Sequence, residues 1–375
     1  MSVLCGTILW NHSYRKQVII IARVVVGLSG GVDSAVAALL LKEQGYQVIG
    51  VTLRTWQAES GAYSRCCDIS DARRTAMQLD IPFYNVNSLP EFRKHVTEPF
   101  MQAYIGGMTP NPCVGCNRYI KWERLLSFAD EINAEYVATG HYARIEKLDN
   151  GRYTVRQAAY AGKDQTYMLY QLSQEQLSRT LMPLAELTKD EVRKIASDAG
   201  LEVAGKHDSQ EICFILDGGY AEYIDAYTDD KLPPPGDFVD EEGNVLGRHK
   251  GIVNYTVGQR KGLGIALGYP AYVKRIDAVN NKVVLCSEES LYEKQILCRD
   301  LCFMSIKDVK KGERVGAFVK IRYHHKAVPA QLERIDDNTF SVMFDDPVKA
   351  PAPGQSAVFY DSQNRVLGGG IIQKY

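Results

Sequence analysis

Between Val24 and about Arg144 the chain alternates short, β-branched apolar runs with longer segments whose apolar residues recur every three or four positions. Val24–Leu28, Gln47–Leu53, Pro82–Asn87 and Glu135–Thr139 have the composition of strands, and Ala35–Glu43, Ile69–Leu79, Glu91–Ile105 and Ile120–Asn133 that of helices. Alternation of this kind predicts an α/β unit with a parallel sheet covered on both faces, whose ligands bind beyond the carboxyl ends of the strands. Thr188–Ala199 reads as a further helix, with Thr188 as N-cap and Gly200 as its stop. Beyond it the texture changes. Pro233-Pro234-Pro235-Gly236 is a rigid turn or linker, and Asp240-Glu241-Glu242-Gly243-Asn244 has the chemistry of a hairpin tip. From Ala271 onward short alternating segments dominate: Ala271–Ile276, Lys282–Cys286, Arg314–Tyr323, Val328–Arg334 and Thr339–Phe344. They predict an all-β module, a small barrel. The expected division is 23–205, 206–278 and 279–375, with no internal repeat.

At 375 residues the chain is long enough for two or three domains with their own cores. A net charge of −1 excludes a globally basic coat, so any nucleic-acid contact must come from local patches. The nine cysteines are odd in number and unevenly spaced, which does not suit a secreted disulfide framework. Thiols kept for chemistry or metal binding in a reducing cytoplasm fit better. No apolar run approaches the roughly 20 residues needed to span a bilayer, and Met1–Lys16 does not read as a signal peptide.

The sharpest chemical signal is the junction Gly27-Leu28-Ser29-Gly30-Gly31-Val32-Asp33-Ser34, where the first apolar run stops and a helix begins at once. A glycine-rich turn feeding a helix aims backbone N–H groups at one point and makes an anion site. Ser29 and Ser34 add hydroxyls. The lysine of a Walker-type loop is absent. Ser-Gly-Gly-x-Asp-Ser instead resembles the pyrophosphate (PP) loop of the ATP pyrophosphatase superfamily, which implies ATP cleaved between its α- and β-phosphates.

A second signal is Thr109-Pro110-Asn111-Pro112-Cys113-Val114-Gly115-Cys116, two thiols placed ahead of a helix, where thiolate is favoured. By itself C-x-x-C leaves a zinc half-site, a redox pair and an iron–sulfur ligand set open. Cys213 ends the polar stretch His207-Asp208-Ser209-Gln210-Glu211. Its surroundings suit either a reactive thiol or a buried structural one. Cys66 and Cys67 read as loop or helix-start thiols, and Cys5, Cys286, Cys298 and Cys302 as structural.

These segments, with Ala138-Thr139-Gly140-His141-Tyr142, Lys163-Asp164-Gln165, Gln210–Phe214, Thr256–Gly264, Arg322-Tyr323 and Pro353–Ala357, occur in one order. Together they resemble the tRNA-specific 2-thiouridylase family over nearly all of the chain after about Arg23. The resemblance implies a PP-loop catalytic domain of the adenine nucleotide alpha hydrolase type, a small central domain and a C-terminal β-barrel that binds tRNA. It implies adenylation of C2 of the wobble uridine, position 34, followed by sulfur transfer to give 2-thiouridine, AMP and pyrophosphate.

It further implies that Gly27–Ser34, Leu53 and Gly140 hold ATP, with Asp33 orienting Mg²⁺ or the loop. Cys213 would carry a persulfide with Cys116 as its partner or nucleophile. Asn111 and Pro112 would meet the target base, and His141, Lys163, Asp164, Gln165, Arg322, Tyr323 and Gln355 the tRNA. Arg260-Lys261, Lys274-Arg275 and His324-His325-Lys326 are candidate phosphate contacts. One branch of the family carries Asp at the position of Cys113. The Cys here leaves two readings open: a persulfide route, or a four-iron, four-sulfur cluster held by Cys113, Cys116 and Cys213. The expected partners are tRNAs of the Lys, Glu and Gln type and a sulfur donor such as a cysteine desulfurase or sulfur carrier. Rival readings are a PP-loop ligase or amidotransferase and a non-catalytic RNA- or metal-binding protein. Nothing in the chain resembles the glutaminase nucleophile domain of the first, and the intact Ser29, Asp33 and Ser34 speak against the second.

Overall fold

The computed structural model describes residues 22–57, 68–206, 212–215 and 219–374. Cys5, Cys66, Cys67 and the stretch 207–211 lie outside the described residues.

The first unit is an α/β layer. Its strands β1 (Arg23–Gly27), β2 (Gln47–Arg54), β3 (Phe83–Asn87) and β4 (Tyr136–Ala138) are parallel. A short hairpin comes next, β5 (Arg144–Lys147) with β6 (Tyr153–Arg156), and then β7 (Thr180–Leu181) joins the main sheet beyond β4. The order is β3-β2-β1-β4-β7. β1 sits between two strands and between two layers, which is why Val24, Val25 and Val26 are all fully buried. The helix Val32–Glu43 leaves its carboxyl end and buries Ala35, Val36, Ala38 and Leu41. The hairpin and β7 are not legible in the sequence, because two to four residues are too few to establish a period.

The expected helix at Ile120–Asn133 begins earlier. A continuous helical run starts at Pro112–Gly115, passes through a π-helical stretch at Cys116–Trp122 and ends in Glu123–Glu131. Cys113 and Cys116 are therefore inside its first turns rather than ahead of it. Pro at the first helical position and Asn111 as N-cap explain the early start. The helix Lys189–Asp198 has the anticipated Thr188 cap, closed into a capping box with Glu191.

A four-stranded sheet comes after it, β8 (Gly236–Val239), β9 (Val245–His249), β10 (Tyr272–Asp277) and β11 (Lys282–Cys286), in the order β10-β11-β8-β9. The β8–β9 turn is the Asp240–Asn244 tip, held by the Asn244 N–H donating to Asp240 Oδ1 at 2.7 Å. β11 falls inside the 279–375 range expected for the barrel. Its pairing places it here instead, antiparallel to β10 and parallel to β8.

The barrel proper has six antiparallel strands, β12 (Tyr292–Phe303), β13 (Arg314–Lys320), β14 (Val328–Arg334), β15 (Phe340–Lys349), β16 (Ser356–Tyr360) and β17 (Val366–Ile372). It is closed in the order β12-β15-β14-β13-β16-β17 around Leu332, Phe340, Val342, Phe344 and Phe359. The long strand β12 serves both β15 and β17, with register shifts that let it turn from one to the other. Closure removes the edges that an open sheet would expose.

The barrel is bonded to the α/β unit. Pro353 accepts from the Thr109 N–H at 2.8 Å, Tyr167 donates to the Ser356 carbonyl at 2.8 Å, and Thr154 to that of Val366 at 2.7 Å. No helix among the described residues is long and apolar enough to cross a membrane.

Candidate functional site

The glycine-rich loop stands at the carboxyl end of β1. The Ser34 hydroxyl donates to the Gly31 carbonyl at 3.0 Å and accepts from the Ser29 N–H at 3.2 Å, so the two serines fold the loop on itself. The helix N-cap, Gly31, offers no side-chain cap, which leaves the helix start suited to an anionic ligand. Gly30 has φ +78°, and a Cβ there would stand 2.6 Å from the Asp68 carbonyl oxygen. Gly140, after β4, lies against the first helical turn; its Cβ would fall 2.6 Å from the Ser34 nitrogen. Gly27–Ser34 and Gly140 are thus brought together, and buried Leu53 is the next-to-last residue of β2 in the same sheet.

Asp33 is engaged by protein groups. Lys189 Nζ lies 2.8 Å from both carboxylate oxygens, and the Tyr142 hydroxyl donates to Oδ1 at 2.7 Å. Both oxygens of the carboxylate that the resemblance assigns to orienting Mg²⁺ or the loop thus already have protein donors. Sequence reasoning missed Lys189, although it left a trace. A lysine at the first helical position opposes the helix dipole and needs a local anion to be worth keeping. It also missed Lys206, whose Nζ reaches the Gly30 carbonyl at 3.1 Å, Asp68 at 2.9 Å and Asp71 at 2.5 Å.

His141 is next to Gly140. Its Nδ1 is 2.8 Å from the Thr139 hydroxyl and its Nε2 is 3.5 Å from Lys121 Nζ. Burial, and then the Lys121 ammonium, hold the imidazole well below its ordinary range, so it is neutral.

Cys116 and Cys213 share one neighbourhood. Cys116 is buried in the apolar cluster that contains Phe92, Phe100, Ile120 and Phe214, and half-buried Cys213 packs against that same cluster. Phe214 anchors the Cys213 segment, with ring contacts to Phe92, Phe100 and Tyr223 at 5.0 to 5.7 Å. Cys113 is exposed. Burial first, then Asp164 and Cys113, push the Tyr323 hydroxyl up. Among the described residues no group of three or more His, Cys, Asp or Glu side chains is arranged to hold a metal ion. Cys113, Cys116 and Cys213 are all described, so the cluster reading gains nothing from their geometry. Cys298 and Cys286 are buried and their thiols pushed up, Cys286 to about 11, as structural cysteines should be.

Some of the residues implied for tRNA, Asp164, Tyr323 and Gln355, gather where the barrel meets the α/β unit. Asn111 Oδ1 accepts from the Cys113 N–H at 3.1 Å and so caps the cysteine helix behind Pro112. Gln165 Oε1 accepts from the Tyr142 N–H at 2.9 Å. Gln355 Nε2 donates to the Thr109 carbonyl at 2.8 Å. Asp164 is buried and ion-paired with Lys320 at 3.2 Å. Lys163 precedes it in a 3₁₀ turn, and Arg322 is exposed in the turn after β13. Asp164, Lys320, Tyr323, His324, His325 and Lys326 help line a cavity of about 410 Å³ at this joint. Several of these side chains thus already have protein partners, which gives them a positioning task at the joint.

Comparison with known proteins agrees with this architecture. The tRNA methyl transferase HUP domain family matches residues 22–217, the tRNA methyl transferase PRC-barrel domain 221–287, and the aminomethyltransferase beta-barrel domain 293–372. A tRNA-specific 2-thiouridylase MnmA of Lachnoclostridium phytofermentans is 51% identical over 359 residues, 94% of this chain and 99% of that protein. The protein of the same name from Clostridioides difficile is 47% identical over 358 residues, 94% and 98% of the two chains. Among solved structures, the U34-tRNA thiolase NcsA of Methanococcus maripaludis is similar at 19% identity and a TM-score of 0.34, covering 55% of this chain and 64% of that one. About half identical to the two MnmA relatives over nearly the whole of both chains, the chain belongs to the tRNA-specific 2-thiouridylase family.

Proposed function

We propose that this protein is an ATP-dependent tRNA 2-thiouridylase acting on the wobble uridine, position 34. The observation that carries the reading is the uncapped, glycine-built start of the helix Val32–Glu43 in a chain whose relatives bear that name. In the first step the C2 oxygen of the uridine attacks the α-phosphorus of ATP, the α–β anhydride breaks and pyrophosphate leaves. Gly30, Gly31 and the helix start would take the departing charge, and Mg²⁺ would arrive with the phosphates. Gly27–Ser34, Leu53 and Gly140 form the nucleotide side of the site.

In the second step the terminal sulfur of a persulfide on Cys213 attacks C2 and AMP leaves with the oxygen. Cys116 thiolate then attacks the Cys213 sulfur, releasing 2-thiouridine and leaving a Cys116–Cys213 disulfide. A dithiol reductant reopens it. The shared apolar cluster around Cys116 and Cys213 supports this pairing over a route through Cys113. No step is derived through an iron–sulfur cluster. Within this reading the 23–205 domain activates the base, and 206–278 and 279–375 hold tRNA of the Lys, Glu or Gln type. A cysteine desulfurase or sulfur carrier supplies the persulfide.

Separate readouts of the two half-reactions test the proposal. Cys213→Ser should still release pyrophosphate from ATP in a tRNA-dependent way while forming no 2-thiouridine, as read by mass spectrometry of digested tRNA. Thiolation by Cys213→Ser at the wild-type rate would remove Cys213 from the mechanism.

A further inference from the structure

Lys206 ties three separated parts of the chain together through one ammonium. It meets the Gly30 carbonyl at 3.1 Å, Asp68 Oδ2 at 2.9 Å and Asp71 Oδ2 at 2.5 Å. The Asp68 N–H donates in turn to the Ser29 carbonyl at 3.1 Å. In a trans peptide the C=O and the following N–H point in opposite directions. Holding the Ser29 and Gly30 carbonyls on the Asp68–Lys206 side therefore directs the Gly30 and Gly31 N–H groups to the other side, where the Gly31 N–H meets the Ser29 hydroxyl at a long 3.4 Å. Two consecutive N–H groups turned the same way make an anion-binding concavity.

The same contacts solve a charge problem. Asp68 and Asp71 belong to the start of the helix Ile69–Gln78, and an added Cβ on Gly30 would touch both of them. Two carboxylates packed on a phosphate-binding loop would repel the polyphosphate it is built to receive. Lys206 bridges both, and Arg74 also pairs with Asp71. Burial works against the Lys206 charge, but its bonds to the two carboxylates outweigh that and raise its pKa. The ammonium is thus permanently charged at neutral pH.

We infer that Lys206 is a positioning residue for nucleotide use, fixing the Gly30 peptide plane and offsetting Asp68 and Asp71 so that the loop accepts a polyphosphate. The inference rests on the reading that this loop takes ATP. It assigns Lys206 no contact with the reacting atoms, so its removal should act on KM for ATP more than on kcat.

The test is steady-state pyrophosphate release by full-length protein with tRNA, comparing wild type with Lys206→Met, Lys206→Gln and Lys206→Arg, beside a thermal melt of each. Lys206→Met should raise KM for ATP about tenfold or more with kcat within threefold, and weaken inhibition by added pyrophosphate in parallel. Lys206→Arg should return KM to within threefold of wild type. If Lys206→Met does not fold, Lys206→Gln, which keeps a donor and loses the charge, should still raise KM at least threefold. A KM within twofold of wild type in every folded uncharged variant, or a fall in kcat with KM unchanged, overturns the inference. Wild-type protein that releases no pyrophosphate from ATP overturns the ATP reading as well.

Discussion

Single residues at the nucleotide loop do work that their neighbours dictate. Gly30 combines a left-handed φ with an Asp68 carbonyl oxygen that a Cβ would meet at 2.6 Å. Gly30→Ala should therefore destabilise the fold by about 1–2 kcal/mol and abolish pyrophosphate release, which denaturant unfolding and the half-reaction assay would read. His141 makes a different prediction, about pH. Its folded-state pKa is depressed below the ordinary value of about 6.5 by burial and by Lys121, so the folded state favours the neutral ring. The unfolded chain binds that proton more readily. The stability His141 contributes is thus present above about pH 6.5 and is lost as pH falls below it. His249 and His325 are depressed as well and add to the slope, so the informative quantity is a difference. Between pH 7.5 and 5.5 the melting temperature of wild type should fall further than that of His141→Gln. Parallel slopes in the two proteins would contradict the assignment.

Among the elements, two helix starts organise the site. Asn111 and Pro112 begin the helix that carries Cys113 and Cys116, and the π-helical stretch from Cys116 to Trp122 shifts the register of the turns from Glu123 to Glu131. Short π segments of this kind recur at functional sites. Thr188 and Glu191 begin the helix that delivers Lys189 to Asp33. Removing that lysine leaves a carboxylate, only 31% exposed, facing the loop without its ammonium. Lys189→Met should cost about 3 kcal/mol of stability and at least tenfold in kcat/KM for ATP, measured by urea unfolding and pyrophosphate release. Thr188→Ala, which removes only the cap, should cost about 1 kcal/mol. The Thr188 cap is legible in the sequence because capping chemistry is local. The target of Lys189 is not, because Asp33 is far away in the chain and only packing of the two helices brings them together.

For the molecule as a whole, the joint between the barrel and the α/β unit is a ladder of specific bonds rather than an apolar interface alone. Asp164 and Lys320 form its most buried ion pair, with side chains 4% and 17% exposed. Lys320→Met leaves the carboxylate buried without that cation and should lower stability by about 3 kcal/mol. Lys320→Met combined with Asp164→Asn should recover much of the loss, because the neutral amide is cheaper to bury. Thermal melts of the two variants check this, and equal melting temperatures would show that the pair is not coupled. Asp164 and Gln355 stand in this ladder, so two of the residues implied to touch tRNA also hold the barrel against the α/β unit.

Local residue patterns were enough to set the alternation of strand and helix up to about Arg144, the glycine-built turn into a helix at Ser29–Ser34, the Thr188 cap and the Asp240–Asn244 turn. Each depends on residues within a few positions of one another, where period, capping and turn chemistry act. Everything that depends on distant pairing was left to the packed fold. β11 joined β8 instead of the barrel, β7 joined the sheet with only two residues, Lys189 found Asp33, and Lys206 closed over Gly30. Packing also gave the three thiols different exposure, burying Cys116, half-burying Cys213 and leaving Cys113 exposed. Their chemistry is written in the residue types, but which of them meet is set by the packing of Phe92, Phe100 and Phe214, and that no local pattern records.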